Sequence, residues 1–219
     1  VQLAVLRKLD LRYPKTRIIN RPELALEAAS SLRFPVLIKP NVGGSGAGIR
    51  KFDSREEIER AAKDTTLDLG IDHTALIQEV LPASGGHIVR VEVLDGEFLY
   101  AIRVFPKAGS GFNLCPADIC HQPAPETTAA CPAGSGIRVE MCRPPESVIA
   151  DVLRIAEAAH LDVGGVEFLV DERDSRVYYY DINALSNFVT DAERIVGFDP
   201  FVKLVDFLAR RAGERSRPN

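Results

Sequence analysis

Residues 177–189 read VYYYDINALSNFV, and the first seven decide how the rest of the chain is to be read. Val177-Tyr178-Tyr179-Tyr180 has the β-branched and aromatic character of a strand. Asp181 and Asn183 follow two residues apart, and a strand's two-residue side-chain period puts both on one face. Just upstream, residues 164–170 read GGVEFLV, an apolar strand with a lone acid, Glu167. The DERDSR stretch between them, residues 171–176, is polar enough to turn the chain back. If the two strands pair antiparallel, Glu167 reaches Asp181, and with Asn183 they form a cup of hard oxygen donors. Such a set suits Mg²⁺, which takes one or two carboxylates and completes its shell with phosphate oxygens and water. The plainer reading has Asp181 capping a strand and Asn183 starting a turn. Glu167 weighs against it, because an acid inside so apolar a strand needs a partner.

The remaining composition is that of a soluble globular chain: 219 residues, 46% hydrophobic, 26% charged, net charge −4. That charge gives no reason to expect a nucleic-acid partner. No apolar run approaches the ~20 residues of a membrane span and no secretory leader is visible, so no membrane association and a cytoplasmic location are expected. Cys115, Cys120, Cys131 and Cys142 lack any C-x-x-C spacing. They read as reduced thiols, as a disulfide pair if the protein is exported, or, through Cys120-His121, as a zinc site. The helical pattern Leu3, Leu6, Leu9 at the start reads as the remnant, over residues 1–16, of a linker helix from a missing N-terminal domain.

Between these ends the elements alternate. Asn20 is expected to cap a helix opening at Arg21-Pro22-Glu23. Residues 34–40, FPVLIKP, form a buried strand ending in Lys39 and Pro40. Ser54-Arg55-Glu56-Glu57 is a capping box opening a helix to about Lys63. A further strand spans 75–81, and Asp95-Gly96 turns a hairpin between two alternating runs. Residues 109–136 form a long Gly-, Pro- and Cys-rich loop, followed by a short strand near 137–141. That loop is either a substrate lid offering Phe112, Asn113, Cys115 and His121, or a disordered insertion. Helices are expected over 147–160 and 200–211, and a frayed tail over 213–219.

Residues 41–48, NVGGSGAG, carry four glycines in six residues, a composition that lets backbone N–H groups approach phosphate oxygens. No Gly-Lys-Ser/Thr follows, and Ile49 to Phe52 reads as strand, so neither a Walker A loop nor a Rossmann fingerprint fits. A glycine-rich turn between two strands can instead fold over a nucleotide, with Lys39 against its phosphates. The alternative is a flexible hairpin beside a surface lysine.

Taken in order, these features resemble the ATP-grasp superfamily of carboxylate–amine and carboxylate–thiol ligases, most of all the branch of ribosomal-protein S6 glutamate ligases and glutathione synthetases. The carriers are the FPVLIKP strand, the glycine loop, Leu76-Ile77-Gln78-Glu79, Arg90, Ala101-Ile102-Arg103, Gly165-Val166-Glu167 and Asp181-Ile182-Asn183. The resemblance implies an α+β ATP-grasp fold, with two α+β subdomains whose antiparallel sheets grip a nucleotide between them: a small one over 17–80 with the flap and a large one over 81–212 with the metal site. It implies that Lys39, Gly44, Ser45 and Gly46 hold the ATP phosphates. Gln78, Glu79, Val80 and Leu81 would bind adenine, and His87 stands where relatives often carry an acid for the ribose. Arg103 would meet the terminal phosphate, with Arg90 beside it or on the substrate carboxylate. Glu167, Asp181 and Asn183 would hold Mg²⁺, or Mn²⁺ in its place, with Asp181 where most relatives have Glu. Ala184-Leu185-Ser186-Asn187-Phe188 replaces a common Pro-Gly turn and is closer to the branch using amino-group carrier proteins. That makes Ser186 and Asn187 either acceptor contacts or a structural turn.

The implied reaction is ATP-dependent activation of a small-molecule or peptide carboxylate as acyl-phosphate, followed by attack of an amine or thiol. It needs positioning and charge neutralisation rather than a side-chain nucleophile. A kinase-like phosphotransferase and a nucleotide-binding module without ligase activity are the alternatives. Homo-oligomers, if formed, would be built through the missing N-terminal domain.

Overall fold

Strand β2 (Val36–Pro40) alternates two environments, and that alternation organises the first half of the chain. Val36 and Ile38 point into an apolar cluster, whereas Leu37 and Lys39 face the other way. The computed structural model describes residues 2–43, 46–106, 137–184 and 186–215. In it β2 lies in a four-stranded antiparallel sheet of order β1-β4-β2-β3, with β1 Thr16–Ile19, β3 Arg50–Phe52 and β4 Ala75–Glu79. Helices α2 (Ala25–Ala29) and α3 (Arg55–Lys63) cover one face, burying Ala25, Ala29, Ile58 and Ala61 against Val36, Ile38, Phe52 and Ile77. Each fully buried Val or Ile contributes about 1.5–3 kcal/mol through area removed from water.

The start of α3 follows its capping signal. Ser54 accepts a hydrogen bond from the Glu57 N–H at 3.3 Å, and the Glu57 carboxylate reaches back to the N–H of Asp53 at 2.8 Å. Asn20 does not cap the preceding helix as expected. The chain enters instead through a 3₁₀ turn, Pro22–Leu24, whose N-cap is Arg21 with no side-chain bond. Pro22 supplies a fixed φ that starts the turn without help from a capping side chain.

The second half builds a five-stranded antiparallel sheet of order β7-β6-β5-β8-β9. Its strands are β5 Ile88–Leu94, β6 Glu97–Phe105, β7 Arg138–Cys142, β8 Val163–Val170 and β9 Val177–Asn183. β5 and β6 join at Asp95-Gly96, both at positive φ, as the Asp-Gly signal demands. One face packs on α1 (Gln2–Lys8) and α4 (Glu146–Ala159), through Leu6, Val89, Val91, Val152, Ile155, Val166 and Phe168. On the other face, Tyr100, Ile102 and Val104 pack against Phe188, Val189 and Val196, the last in α5 (Ala192–Val196), with α6 (Pro200–Arg215) behind.

The outer edge of β9 is covered by the first residues. The Gln2 side chain donates to the Tyr180 carbonyl at 3.1 Å and accepts from the Ile182 N–H at 3.2 Å, and the Tyr179 N–H donates to the Arg12 carbonyl at 2.9 Å. An edge strand is thereby satisfied without a further strand. Two α+β lobes with antiparallel sheets result, as the ATP-grasp resemblance implies. Among the described residues no helix is long and apolar enough to cross a membrane.

Candidate functional site

The β8–β9 pairing places Glu167 directly opposite Asp181 and Gly165 opposite Asn183. β5 continues both rows, with Arg90 opposite Glu167 and Glu92 opposite Gly165. One face of the sheet therefore carries two cross-strand rows, Arg90–Glu167–Asp181 and Glu92–Gly165–Asn183. A register shift after Glu167 makes Tyr180 the extra residue of a β-bulge, since Phe168 already pairs with Tyr179. The bulge brings the Tyr180 hydroxyl to Glu167, to which it donates at 2.9 Å.

Above this face lies a cleft of about 810 Å³. The four-stranded sheet contributes Ile18, Leu37, Lys39, Leu76 and Gln78, the flap Gly43 and Gly46, and α1 Gln2 and Arg7. The five-stranded sheet contributes Arg90, Glu167, Tyr180, Asp181 and Asn183, and Asn187 lies at the rim. The Lys39 ammonium reaches across to the Tyr180 carbonyl at 3.4 Å. Burial pushes the Lys39 amine below its ordinary value, and the charges of Asp181 and then Glu167 only partly restore it.

Under the cleft, Arg90, Glu92 and Glu167 are buried, at 5%, 0% and 7% exposure. Arg90 donates from Nε to Glu92 at 2.6 Å, from one terminal nitrogen to Glu167 at 3.1 Å and from the other to the Ser186 hydroxyl at 2.9 Å. Burial first, and then the facing charge of Asp181, pushes the Glu167 carboxyl up to about 7. Two carboxylates thus face one another at the base of the cleft, with the Arg90 guanidinium on Glu167. The buried Asn183 amide nitrogen also lacks a hydrogen-bond partner. That nitrogen is a donor and does not itself favour a cation; the carboxylates of Glu167 and Asp181 and the side-chain oxygen of Asn183 are the hard donors that would suit a divalent ion. No cluster of three or more His, Cys, Asp or Glu side chains that could hold a metal occurs among the described residues, in keeping with a set of two acids and an amide.

Gly165 makes this packing feasible. A Cβ there would sit 3.0 Å from the Arg90 Nε and 3.1 Å from a Glu92 carboxylate oxygen. Gly165→Ala is expected to destabilise the protein by about 1–3 kcal/mol through overpacking, read as a lower thermal midpoint. An unchanged midpoint would show that the ion cluster yields freely.

Other predicted site residues fall elsewhere. Arg103 pairs with Val89, which pairs with Phe168, so it lies on the α1/α4 face of the sheet and is exposed there. The site face at that point belongs to Ile102 and Val104, because β6 pairs with β5 so that Ile102 stands opposite Arg90 and Val104 opposite Ile88. His87 shares the Arg103 face, its ring 5.0 Å from that of Phe105, and does not line the cleft. The Gln78 side chain lines the cleft but donates to the Thr16 hydroxyl at 2.9 Å. The Glu79 carboxylate accepts from the Arg33 N–H at 2.9 Å, and the N–H groups of Glu79 and Val80 donate to the Lys15 and Pro35 carbonyls. Leu81 is part of the apolar core. Ser186 is buried against Arg90, and Asn187 is exposed. Gly44, Ser45, Leu185 and the 109–136 segment, with three of the four cysteines, lie outside the described residues. Tyr180, Glu92, Gln2 and Arg7 were not among the predicted site residues, although each touches the cleft or its charged floor.

Comparisons with known proteins agree with this architecture. A family model described as D-ala D-ala ligase C-terminus matches residues 6–109. A urea amidolyase of Lachancea kluyveri is 28% identical over 92% of this chain and 10% of its own length. A D-alanine–D-alanine ligase of Anaeromyxobacter dehalogenans is 27% identical over 84% of this chain and 56% of its own. Among solved structures, the ATP-grasp ligase PsnB with a minimal precursor superposes with a TM-score of 0.66 at 21% identity, covering 96% of this chain and 58% of that one. Another PsnB structure, with Mg and ADP, gives 0.65 at 22% identity, over 95% of this chain and 56% of that one. The chain therefore spans about half or less of the length of these relatives. The likeness bears on the superfamily and not on a branch within it.

Proposed function

We propose that this chain, a member of the ATP-grasp superfamily, is the ATP-binding domain of a Mg²⁺-dependent ligase that activates a carboxylate as acyl-phosphate for attack by an amine or thiol. The observation that carries this reading is the facing pair Glu167–Asp181, with Asn183 beside it, at the base of the cleft that Lys39 closes.

Glu167, Asp181 and Asn183 would hold Mg²⁺, with Mn²⁺ as a substitute. Bound there, the ion would bridge phosphate oxygens and neutralise charge on the transferring phosphoryl group. Lys39, already drawn across the cleft, would turn its ammonium from the Tyr180 carbonyl to the phosphates, joined by the flap residues Gly44, Ser45 and Gly46. Arg90, fixed on three sides, keeps further N–H groups for an acyl-phosphate or a substrate carboxylate. Adenine would lie along Gln78 to Leu81, contacting carbonyl groups and the Leu81 N–H, since the Glu79 and Val80 N–H groups are engaged. Asn187 at the rim, with Ser186 behind it, would border the acceptor. The substrate carboxylate would be a small molecule or a peptide, a range supported by the similar structure of PsnB with a precursor peptide and by the D-alanine–D-alanine ligase relatives. The protein would act in the cytoplasm.

Calorimetric titration of ATP with and without Mg²⁺ tests this. Binding that depends on the cation is expected, and equal binding in its absence would overturn the metal role. Arg103, on the far face, no longer belongs to the proposed phosphate site. Arg103→Ala is expected to change Mg²⁺-ATP affinity by less than about twofold, as for a surface substitution. A tenfold loss would return it to the site.

A further inference from the structure

We propose that Glu92 is a positioning residue for the cation site: its carboxylate holds Arg90 by Nε and balances that guanidinium's charge, leaving Glu167 free to face a bound metal. This rests on the reading of Glu167, Asp181 and Asn183 as the metal cup.

Glu92 touches neither the cleft nor solvent, at 0% exposure. One of its carboxylate oxygens lies 2.6 Å from the Arg90 Nε, and the Ser186 hydroxyl of the same cluster helps to hold its charge. Burying a carboxylate is costly, and burial pushes the Glu92 carboxyl up; a neutral side chain would pack in the same space without that cost. What the charge does is therefore electrostatic, and its object is Arg90. Arginine stays protonated, and a lone carboxylate beside it becomes a two-pronged partner. Without Glu92, Arg90 would pair wholly with Glu167. The cup would then carry one net negative charge, from Asp181, a poor match for a divalent ion.

With Glu92 present, two carboxylates share the guanidinium while Asp181 stands opposite Glu167. Burial pushes the Glu92 and Glu167 carboxyls up, and a bound divalent ion would draw the proton from Glu167, so that the cluster would then carry two negative charges. Burial disfavours charge on Arg90, but the carboxylates of Glu92 and then Glu167 more than reverse this. Position reinforces the balance. The Ser186 hydroxyl takes one terminal nitrogen at 2.9 Å, so Arg90 meets Glu167 through a single nitrogen at 3.1 Å. The missing Cβ of Gly165 leaves room for both ions.

Glu92→Gln isolates the charge, because the amide keeps the size and a carbonyl oxygen for the Arg90 Nε–H. Mn²⁺ binding in the presence of ATP would be followed by electron paramagnetic resonance. ATP binding without divalent ion would be followed by calorimetry, and stability by thermal midpoint. Glu92→Gln is expected to weaken Mn²⁺ binding by about tenfold or more, as a lost unit charge in a buried site should. ATP binding without the metal should be unchanged. Glu92→Asp keeps the charge at the expense of packing and should bind Mn²⁺ more tightly than Glu92→Gln; a merely structural Glu92 predicts the reverse order, even if both variants melt early. Asp181→Asn separates the two layers. If the wild type binds no Mn²⁺, or Asp181→Asn binds it as well as the wild type, the metal cup itself is wrong and this inference falls with it. If Asp181→Asn weakens binding but Glu92→Gln stays within twofold of the wild type, the cup stands and the role of Glu92 is overturned.

Discussion

Asp181→Ala is expected to flatten the pH dependence of stability of the cation-free protein and to abolish the Mg²⁺-dependent ATP turnover proposed above. Both effects come from one geometry. Asp181 faces Glu167 across the β8–β9 pair, and its charge is the second cause, after burial, that pushes the Glu167 carboxyl from 4.5 up to about 7. A carboxyl whose folded value lies above its unfolded one contributes stability that is complete below the unfolded value. That stability is lost as pH rises through the folded value. Without a cation, the pair therefore costs stability progressively between pH 4.5 and about 7. Removing Asp181 relieves the repulsion, so thermal melts of the variant at about pH 5 and about pH 8 should differ less than those of the wild type. With Mg²⁺ the proposed cup would stabilise the wild type by binding the ion, and the variant would lack one of the ligands. Loss of such a preorganised charge contact is worth roughly 10²–10³ in turnover. A variant that keeps near-normal Mg²⁺-dependent turnover would remove Asp181 from the metal cup.

Why the juxtaposition of Glu167, Asp181 and Asn183 could be read from sequence, and the charged cluster beneath it could not, follows from the kinds of signal involved. Glu167, Asp181 and Asn183 lie on two strands joined by a short polar turn, so two-residue alternation and a hairpin were enough to bring them together. Arg103, whose role came from the resemblance alone, falls on the face opposite the cleft. Residues 101–105, AIRVF, are apolar on both sides of the arginine, and alternation alone does not say which face carries it; the pairing of β6 with β5 decides. Glu92 was within reach. Residues 88–94, IVRVEVL, hold two charged side chains on one face of an apolar run, and the argument that an acid in such a strand needs a partner applies to Glu92 as it did to Glu167. The β-bulge at Tyr180 had no comparable signal, since VYYYDIN alternates as well with it as without it. Asn20 reads as a helix cap only while the helix is taken to start one residue earlier; the 3₁₀ turn has Arg21 as its N-cap.

Lys39→Met is expected to give the mirror image of a typical active-site loss, a protein that melts higher and binds ATP worse. Lys39 is placed by β2 alternation, facing the cleft beside Leu37, with its ammonium near the Tyr180 carbonyl. Burial holds its amine below the ordinary 10.5, and the attraction of Asp181 and Glu167 does not cancel this. A lysine with a depressed value folds at a cost in its charged form. That net shift already includes what the two carboxylates gain from its presence. Methionine fills a similar length without charge, so the folded state loses a cost rather than a support. In the nucleotide complex the balance turns over, because a charged hydrogen bond to phosphate is worth about 1.5–3 kcal/mol. ATP affinity should accordingly fall by about 10- to 100-fold. Thermal midpoints without nucleotide and calorimetric ATP titrations of the same two proteins measure both halves. A lower midpoint with unchanged ATP affinity would mean that Lys39 supports the fold and does not meet the phosphates. A higher midpoint with weakened ATP binding would identify a residue kept at the expense of stability for the nucleotide it holds.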